Sequence, residues 1–115
     1  MKRHFVALLA PLVLAATASA QPELFHPLDH SAWAENTGWT NWRWNMTPAS
    51  ADQPRIVSDA FLAGFVWCEN TGWLNLGDGT PANAVAYANA TGADFGVNIT
   101  PASMLEGRAW GENVG

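Results

Sequence analysis

The chain has 115 residues, ten of them carboxylates against five basic ones, and carries seven tryptophans, ten glycines and one cysteine. So few Lys and Arg, none clustered in a patch, exclude a nucleic-acid or anionic-membrane binder. A single cysteine excludes a disulfide-stapled miniprotein, and the scattered glycines exclude a coiled coil.

Residues 1–20 read MKRHFVALLAPLVLAATASA: Lys2 and Arg3, an apolar run from Phe5 to Ala16, then Ala18-Ser19-Ala20. That order of charge, hydrophobicity and small residues predicts a secretory signal peptide cleaved after Ala20. The apolar run is about 12 residues, and a membrane-spanning helix needs about 20. No membrane span is expected in this segment. Export would deliver the protein to the extracellular space, the cell surface or a periplasm. The remaining 95 residues suffice for one modest domain, and with Arg43, Arg55 and Arg108 as their basic residues they carry a net charge of −7.

A lead-in over 21–30, QPELFHPLDH, places His26 and His30 four residues apart with Asp29 between them. On a helix both imidazoles would share one face as a minimal metal pair. Pro27 opposes that helix, and no third ligand stands at a matching spacing. No metal or other cofactor is expected.

From residue 31 the chain repeats. Ala32-Trp33-Ala34-Glu35-Asn36-Thr37-Gly38-Trp39 recurs as Val66-Trp67-Cys68-Glu69-Asn70-Thr71-Gly72-Trp73 and again as Ala109-Trp110-Gly111-Glu112-Asn113-Val114-Gly115. Leu62-Ala63-Gly64-Phe65 before the second copy matches Leu105-Glu106-Gly107-Arg108 before the third. The copies thus start near 31, 64 and 107, and the repeat domain occupies 31–115. Self-similarity at such a period is the mark of a repeat architecture.

Each copy reads as a β-hairpin, with Asn-Thr-Gly as a three-residue connection whose glycine takes a left-handed conformation. In that register Glu69 faces Trp73, Cys68 faces Leu74 and Trp67 faces Asn75. Alternation then puts Val66, Cys68, Leu74 and Leu76 on an apolar face, and Trp67, Glu69, Trp73 and Asn75 on the other. Residues 47–54, TPASADQP, form a polar loop, and Ile56 to Leu62 could pass for a short helix. Gly77-Asp78-Gly79-Thr80-Pro81 is a turn cluster, after which Ala84–Asn89 and Asp94–Thr100 read as two further strands joined by Ala90-Thr91-Gly92. The third copy lacks its second arm, so the sequence reads as a fragment whose strand from Gly107 has no partner.

The pattern G-x-x-W-x-E-N-x-G-W-hydrophobic-N-hydrophobic over Gly64 to Leu76, with G-D-G-T-P-A-N over Gly77 to Asn83 and Y-x-N-x-x-x-x-D-F-G-V-N over Tyr87 to Asn98, resembles a family of exported bacterial repeat proteins. Their ENxGW-type hairpins recur every forty-odd residues, and the resemblance spans roughly Ser31 to Gly115. It implies export and repeat architecture and assigns no catalytic residue. Cys68 departs from the pattern, where a small Gly, Ser or Ala is more usual.

Glu35, Glu69 and Glu112 invite an acid/base reading, since paired carboxylates hydrolyse glycosides. They recur with the turn, however, whereas an active site is one place on a fold. The simpler reading has each carboxylate accept from turn N–H groups or a neighbouring indole. Asn36, Asn70 and Asn113 likewise suit turns. Cys68 has no adjacent base and faces inward, as a small buried hydrophobe. Trp33, Trp39, Trp67 and Trp73, beside Glu35 and Glu69, form a flat aromatic surface that suits a sugar ring, although such rings also pack between adjoining repeats. The expected fold is all-β, antiparallel hairpins in a sandwich, open barrel or propeller-like array. The expected function is an exported non-enzymatic structural or surface-interaction protein; the alternative is a carbohydrate-binding module with a glycan or cell-surface partner.

Overall fold

The computed structural model describes residues 22–45 and 52–115; the expected signal peptide and most of the loop at 47–54 lie outside the described residues. Among the described residues there are ten short strands and no helix, so none is long and apolar enough to cross a membrane. The strands are β1 (Glu23–Leu24), β2 (Ser31–Ala34), β3 (Gly38–Asn41), β4 (Arg55–Val57), β5 (Phe61–Ala63), β6 (Phe65–Cys68), β7 (Gly72–Asn75), β8 (Val97–Ile99), β9 (Leu105–Gly107) and β10 (Trp110–Gly111).

They form two antiparallel five-stranded sheets, ordered β1-β4-β5-β8-β9 and β10-β7-β6-β3-β2. The chain is all-β and open, with no closed barrel. Successive hairpins alternate between the sheets: β2–β3 and β6–β7 lie in one, β4–β5 and β8–β9 in the other. Between the sheets, Leu62, Val66, Cys68 and Leu76 are buried, and Phe25, Trp42, Ile56, Leu74, Val97 and Ile99 pack against them. Val66 is wholly inaccessible, and burial of a side chain of that size contributes about 1.5–3 kcal/mol.

The repeated hairpin forms with its loop one position earlier than expected. Glu69-Asn70-Thr71 make the connection, Gly72 pairs with Cys68, and Trp67 opposes Trp73 rather than Asn75. The slip moves one residue on each arm, so every side chain keeps its face. Cys68 and Val66 point inward as expected, and Trp67 points out. Gly38 and Gly72 both have positive φ, +70° and +77°.

Ile56–Leu62 is a hairpin, not a helix: Ser58 and Asp59 have φ of 52° and 54°, and Val57 pairs with Phe61. Two left-handed residues in sequence make the tight turn that β4 and β5 need. At the joint between β5 and β6 the chain passes from one sheet to the other through Gly64, and at the joint between β9 and β10 through Gly107. Their φ values are 93° and 112°, and a methyl group at either would collide with a main-chain carbonyl, that of Gln53 or Gly96. This close approach accounts for the glycine three residues before the first Trp of copies two and three.

Ala84–Asn89 is not a strand, and only Val97–Ile99 of the second expected strand forms. The reason is topological, because β5 and β9 already take both edges of β8. The Asn98 side chain replaces the missing ladder, accepting from the Tyr87 N–H at 2.8 Å and donating to the Tyr87 carbonyl at 2.9 Å. Tyr87 is buried against Phe61, and its hydroxyl donates to the Leu62 carbonyl at 3.1 Å while accepting from Gly79 N–H at 2.8 Å. The segment from Gly107 also has a partner, contrary to expectation: Trp110 pairs with Asn75 and Gly111 with Leu74.

Two outcomes test this account. Gly72→Val forces a β-branched side chain into a left-handed turn, with its Cβ 2.7 Å from Asn113 Nδ2. It should cost about 1–3 kcal/mol in urea unfolding; an unchanged midpoint would refute the turn. Burial holds the Tyr87 phenol above its ordinary value of 10, a shift that the Gly79 N–H and Arg55 only partly offset. The neutral phenol is therefore favoured by folding, and its contribution is complete below pH 10 and lost as pH climbs through the raised folded value. Tyr87 is the only tyrosine, so phenolate absorbance should rise later than for a free tyrosine and together with loss of fold.

Candidate functional site

Each strand of the second sheet contributes one tryptophan to the face turned away from the core. In sheet order these are Trp110 on β10, Trp73 on β7, Trp67 on β6, Trp39 on β3 and Trp33 on β2. Trp33 lies directly opposite Trp39, and Trp67 opposite Trp73. Between hairpins the register shifts: Asn41 opposes Trp67, and Asn75 opposes Trp110. Continuing the same ladders sets Trp39 against Glu69 and Trp73 against Glu112, in agreement with Glu69 N–H donating to the Trp39 carbonyl and Glu112 N–H to the Trp73 carbonyl, each at 2.9 Å. The outer face thus alternates aromatic rings with amides and carboxylates, one set per repeat.

Exposure separates these rings from a packed core. Trp33, Trp39, Trp67 and Trp110 are 60%, 56%, 41% and 59% exposed, and Trp73 is half-buried. Trp73 meets Trp67 edge-to-face with centroids 4.9 Å apart and meets Trp44 similarly at 5.2 Å. These rings are steeply inclined, so they offer separate stacking faces and not the single flat surface expected from sequence.

Trp44 reaches this face from the segment after β3. Its indole N–H donates to the Phe65 carbonyl at 2.8 Å. The buried Gln53 side chain bonds both the N–H and the C=O of Asn45, tying residue 45 to the strand-leading segment at 52–54. Phe65 N–H donates to the Asp52 carbonyl at 2.8 Å, which fixes Asp52 beside β6. The result is an open cleft of about 510 Å³ walled by Trp44, Trp73 and Trp110, with Asp52, Asn75 and Glu112 as its polar groups. That volume falls within the range of small-ligand sites, roughly 300–1,000 Å³.

The motif carboxylate Glu69 and the motif amide Asn113 bind the neighbouring repeat, not their own turn. Glu69 Oε2 accepts from the Trp39 N–H at 3.2 Å, and Asn113 Nδ2 donates to the Thr71 carbonyl at 3.1 Å. A Cβ on Gly38 would lie 2.8 Å from Asn70 Nδ2 and 2.9 Å from Glu69 Oε2. The Glu69-Asn70 and Glu112-Asn113 pairs therefore close over the preceding Thr-Gly-Trp turns. Asn41 and Asn75 use Oδ1 to accept from the N–H two residues on, in Arg43 and Gly77, which ends each strand in an Asx-type turn. Glu35 opens the first copy, and its side chain makes no hydrogen bond among the described residues.

The structure therefore brings Trp33, Trp39, Trp67, Trp73 and Glu69 onto one face, and of these Trp73 lines the cleft. Trp110 and Glu112 were available from the repeat; Trp44 and Asp52 carry no local signal. In the lead-in, His26 lies 3.6 Å from Asp29, whereas His30 contacts Asn41 at 3.0 Å. No group of three metal-binding side chains occurs among the described residues. In comparisons with known proteins, no family model matches the chain, and neither a curated protein nor a solved structure matches it.

The clamp has a direct test. Glu69→Ala should cost about 0.5–1 kcal/mol, an exposed hydrogen bond to a charged group. Glu35→Ala, with no turn before it to close over, should leave the denaturation midpoint unchanged. Equal losses in the two variants would show that the carboxylate serves its own turn.

Proposed function

We propose that the chain is an exported, non-enzymatic repeat protein whose tryptophan face is its interaction surface, with carbohydrate as the ligand class. The exposure of four of the five ladder tryptophans carries this reading. A monomeric domain has no stability reason to leave such rings in water, and contiguous apolar surface marks an interaction site. Sugars suit the chemistry, because a pyranose offers C–H groups to an indole face and hydroxyls to Asp52, Asn75 and Glu112. The signal-peptide pattern at 1–20 and the resemblance to exported repeat proteins support export. The recurrence of Glu35, Glu69 and Glu112 with the turn, and the engagement of Glu69 in the repeat junction, support a non-catalytic role.

A purely structural role is the second reading, favoured by the Glu69–Trp39 and Asn113–Thr71 bonds that join repeats. A glycan array probed with the mature protein separates the two. Binding to a defined glycan group, weakened about tenfold or more by Trp73→Ala or Trp110→Ala with the fold retained, supports the interaction surface; a good stacking contact is worth on the order of 1–2 kcal/mol. Absence of any glycan binding, with these variants altering stability alone, would favour the structural role.

A further inference from the structure

The repeat junctions impose the same offset twice. Trp39 stands against Glu69 and Trp73 against Glu112, so each first-arm tryptophan lies two residues along from its predecessor's second-arm tryptophan. Equivalent rings, Trp33, Trp67 and Trp110, therefore recur on every second strand. Two inter-strand spacings amount to ~9.6 Å and a two-residue offset to ~6.7 Å, so neighbouring equivalents are about 12 Å apart. Because both displacements repeat, the three positions follow one diagonal across the sheet.

From this translation we infer that the face holds a linear, neutral polysaccharide laid across the strands, with one subsite per repeat; the inference rests on the glycan reading above. A compact ligand touches one repeat only and leaves the other rings uncovered. A polymer meets each repeat with the same contact, and a step of about 12 Å is close to the length of a disaccharide unit in an extended chain. The inclination of 68° between Trp67 and Trp73 lets one ring of the pair lie flat against a sugar. Each subsite thus stacks one sugar of the disaccharide and leaves the alternate one to the polar groups. Asn41 beside Trp67 and Asn75 beside Trp110 supply equivalent amides.

Charge selects a neutral chain. The five strands of this sheet, SAWA, GWTN, FVWC, GWLN and WG, contain no basic residue. Glu69 and Glu112 stand at the ladder rungs, and Asp52 lines the cleft. A uronate or sulfated polymer would bring like charge against these carboxylates.

Calorimetric titration of the mature protein with neutral β-1,4-glucan, chitin and mannan oligosaccharides, from disaccharide to hexasaccharide, tests the inference. Affinity should rise about tenfold or more with length, as linked subsites are engaged together. Trp33→Ala alters an exposed ring that does not line the cleft; it should weaken the hexasaccharide severalfold while changing disaccharide affinity by no more than about twofold, since the other subsites remain. Length-independent binding of one disaccharide, abolished by Trp110→Ala alone, would overturn the ladder and leave the glycan reading in place. Tighter binding of a uronate or sulfated chain would overturn the neutral assignment. No binding to any member would remove the ladder and count against the glycan reading together.

Discussion

The two-residue offset at each hairpin junction, set by the backbone ladder and reinforced by one carboxylate or amide contact, governs the geometry of the outer face. Glu69 accepts from the main chain of Trp39, and Asn113 donates to the carbonyl of Thr71. Each reaches over a glycine turn of positive φ, at Gly38 or Gly72. These contacts, added to the backbone ladder, hold each hairpin two residues out of line with the one before. Every later property of the face, including the spacing of its rings and the pairing of indole with amide, follows from that offset.

The inner face is held by different means. Its buried set is small, Leu62, Val66, Cys68 and Leu76 with a ring of half-buried neighbours, as expected where strands are only two to four residues long. Side-chain amides compensate for the shortage of ladder. Asn98 bonds both main-chain groups of Tyr87, and Gln53 both groups of Asn45, so each buried amide substitutes for a strand that is absent. An unmade bond at such a buried site costs about 1–3 kcal/mol. The same devices shape the outer face, because Gln53 anchors Asn45, next to the Trp44 that meets Trp73.

Features governed by local rules were readable from the sequence, and features governed by distant partners were not. The hairpins and the division of Val66 and Cys68 from Trp67 and Glu69 follow from alternation and a glycine turn. The register did not follow, because Asn-Thr-Gly and Glu-Asn-Thr are equally plausible connections until the partner strand is seen. Ala84–Asn89 alternates like a strand, but whether β8 has a free edge is a property of the whole sheet. Ser58 and Asp59, without a glycine, gave no sign of a tight turn and left Ile56–Leu62 open to a helical reading. The partner of Glu69 is Trp39, thirty residues earlier, and nothing in either copy alone reveals it.

The alternation of hairpins between the sheets has a consequence for how the chain reaches its fold. Strand order rises steadily along each sheet, and the longest paired separations, Phe61 to Asn98 and Leu74 to Gly111, are 37 residues. Each newly added hairpin meets neighbours that are already in place, so loop-closure entropy never spans more than about one repeat. Sandwiches with Greek-key connections lack this property and fold slowly for it. Here cooperativity passes from repeat to repeat as in a one-dimensional array, with stability accruing as a sum of hairpin and junction terms.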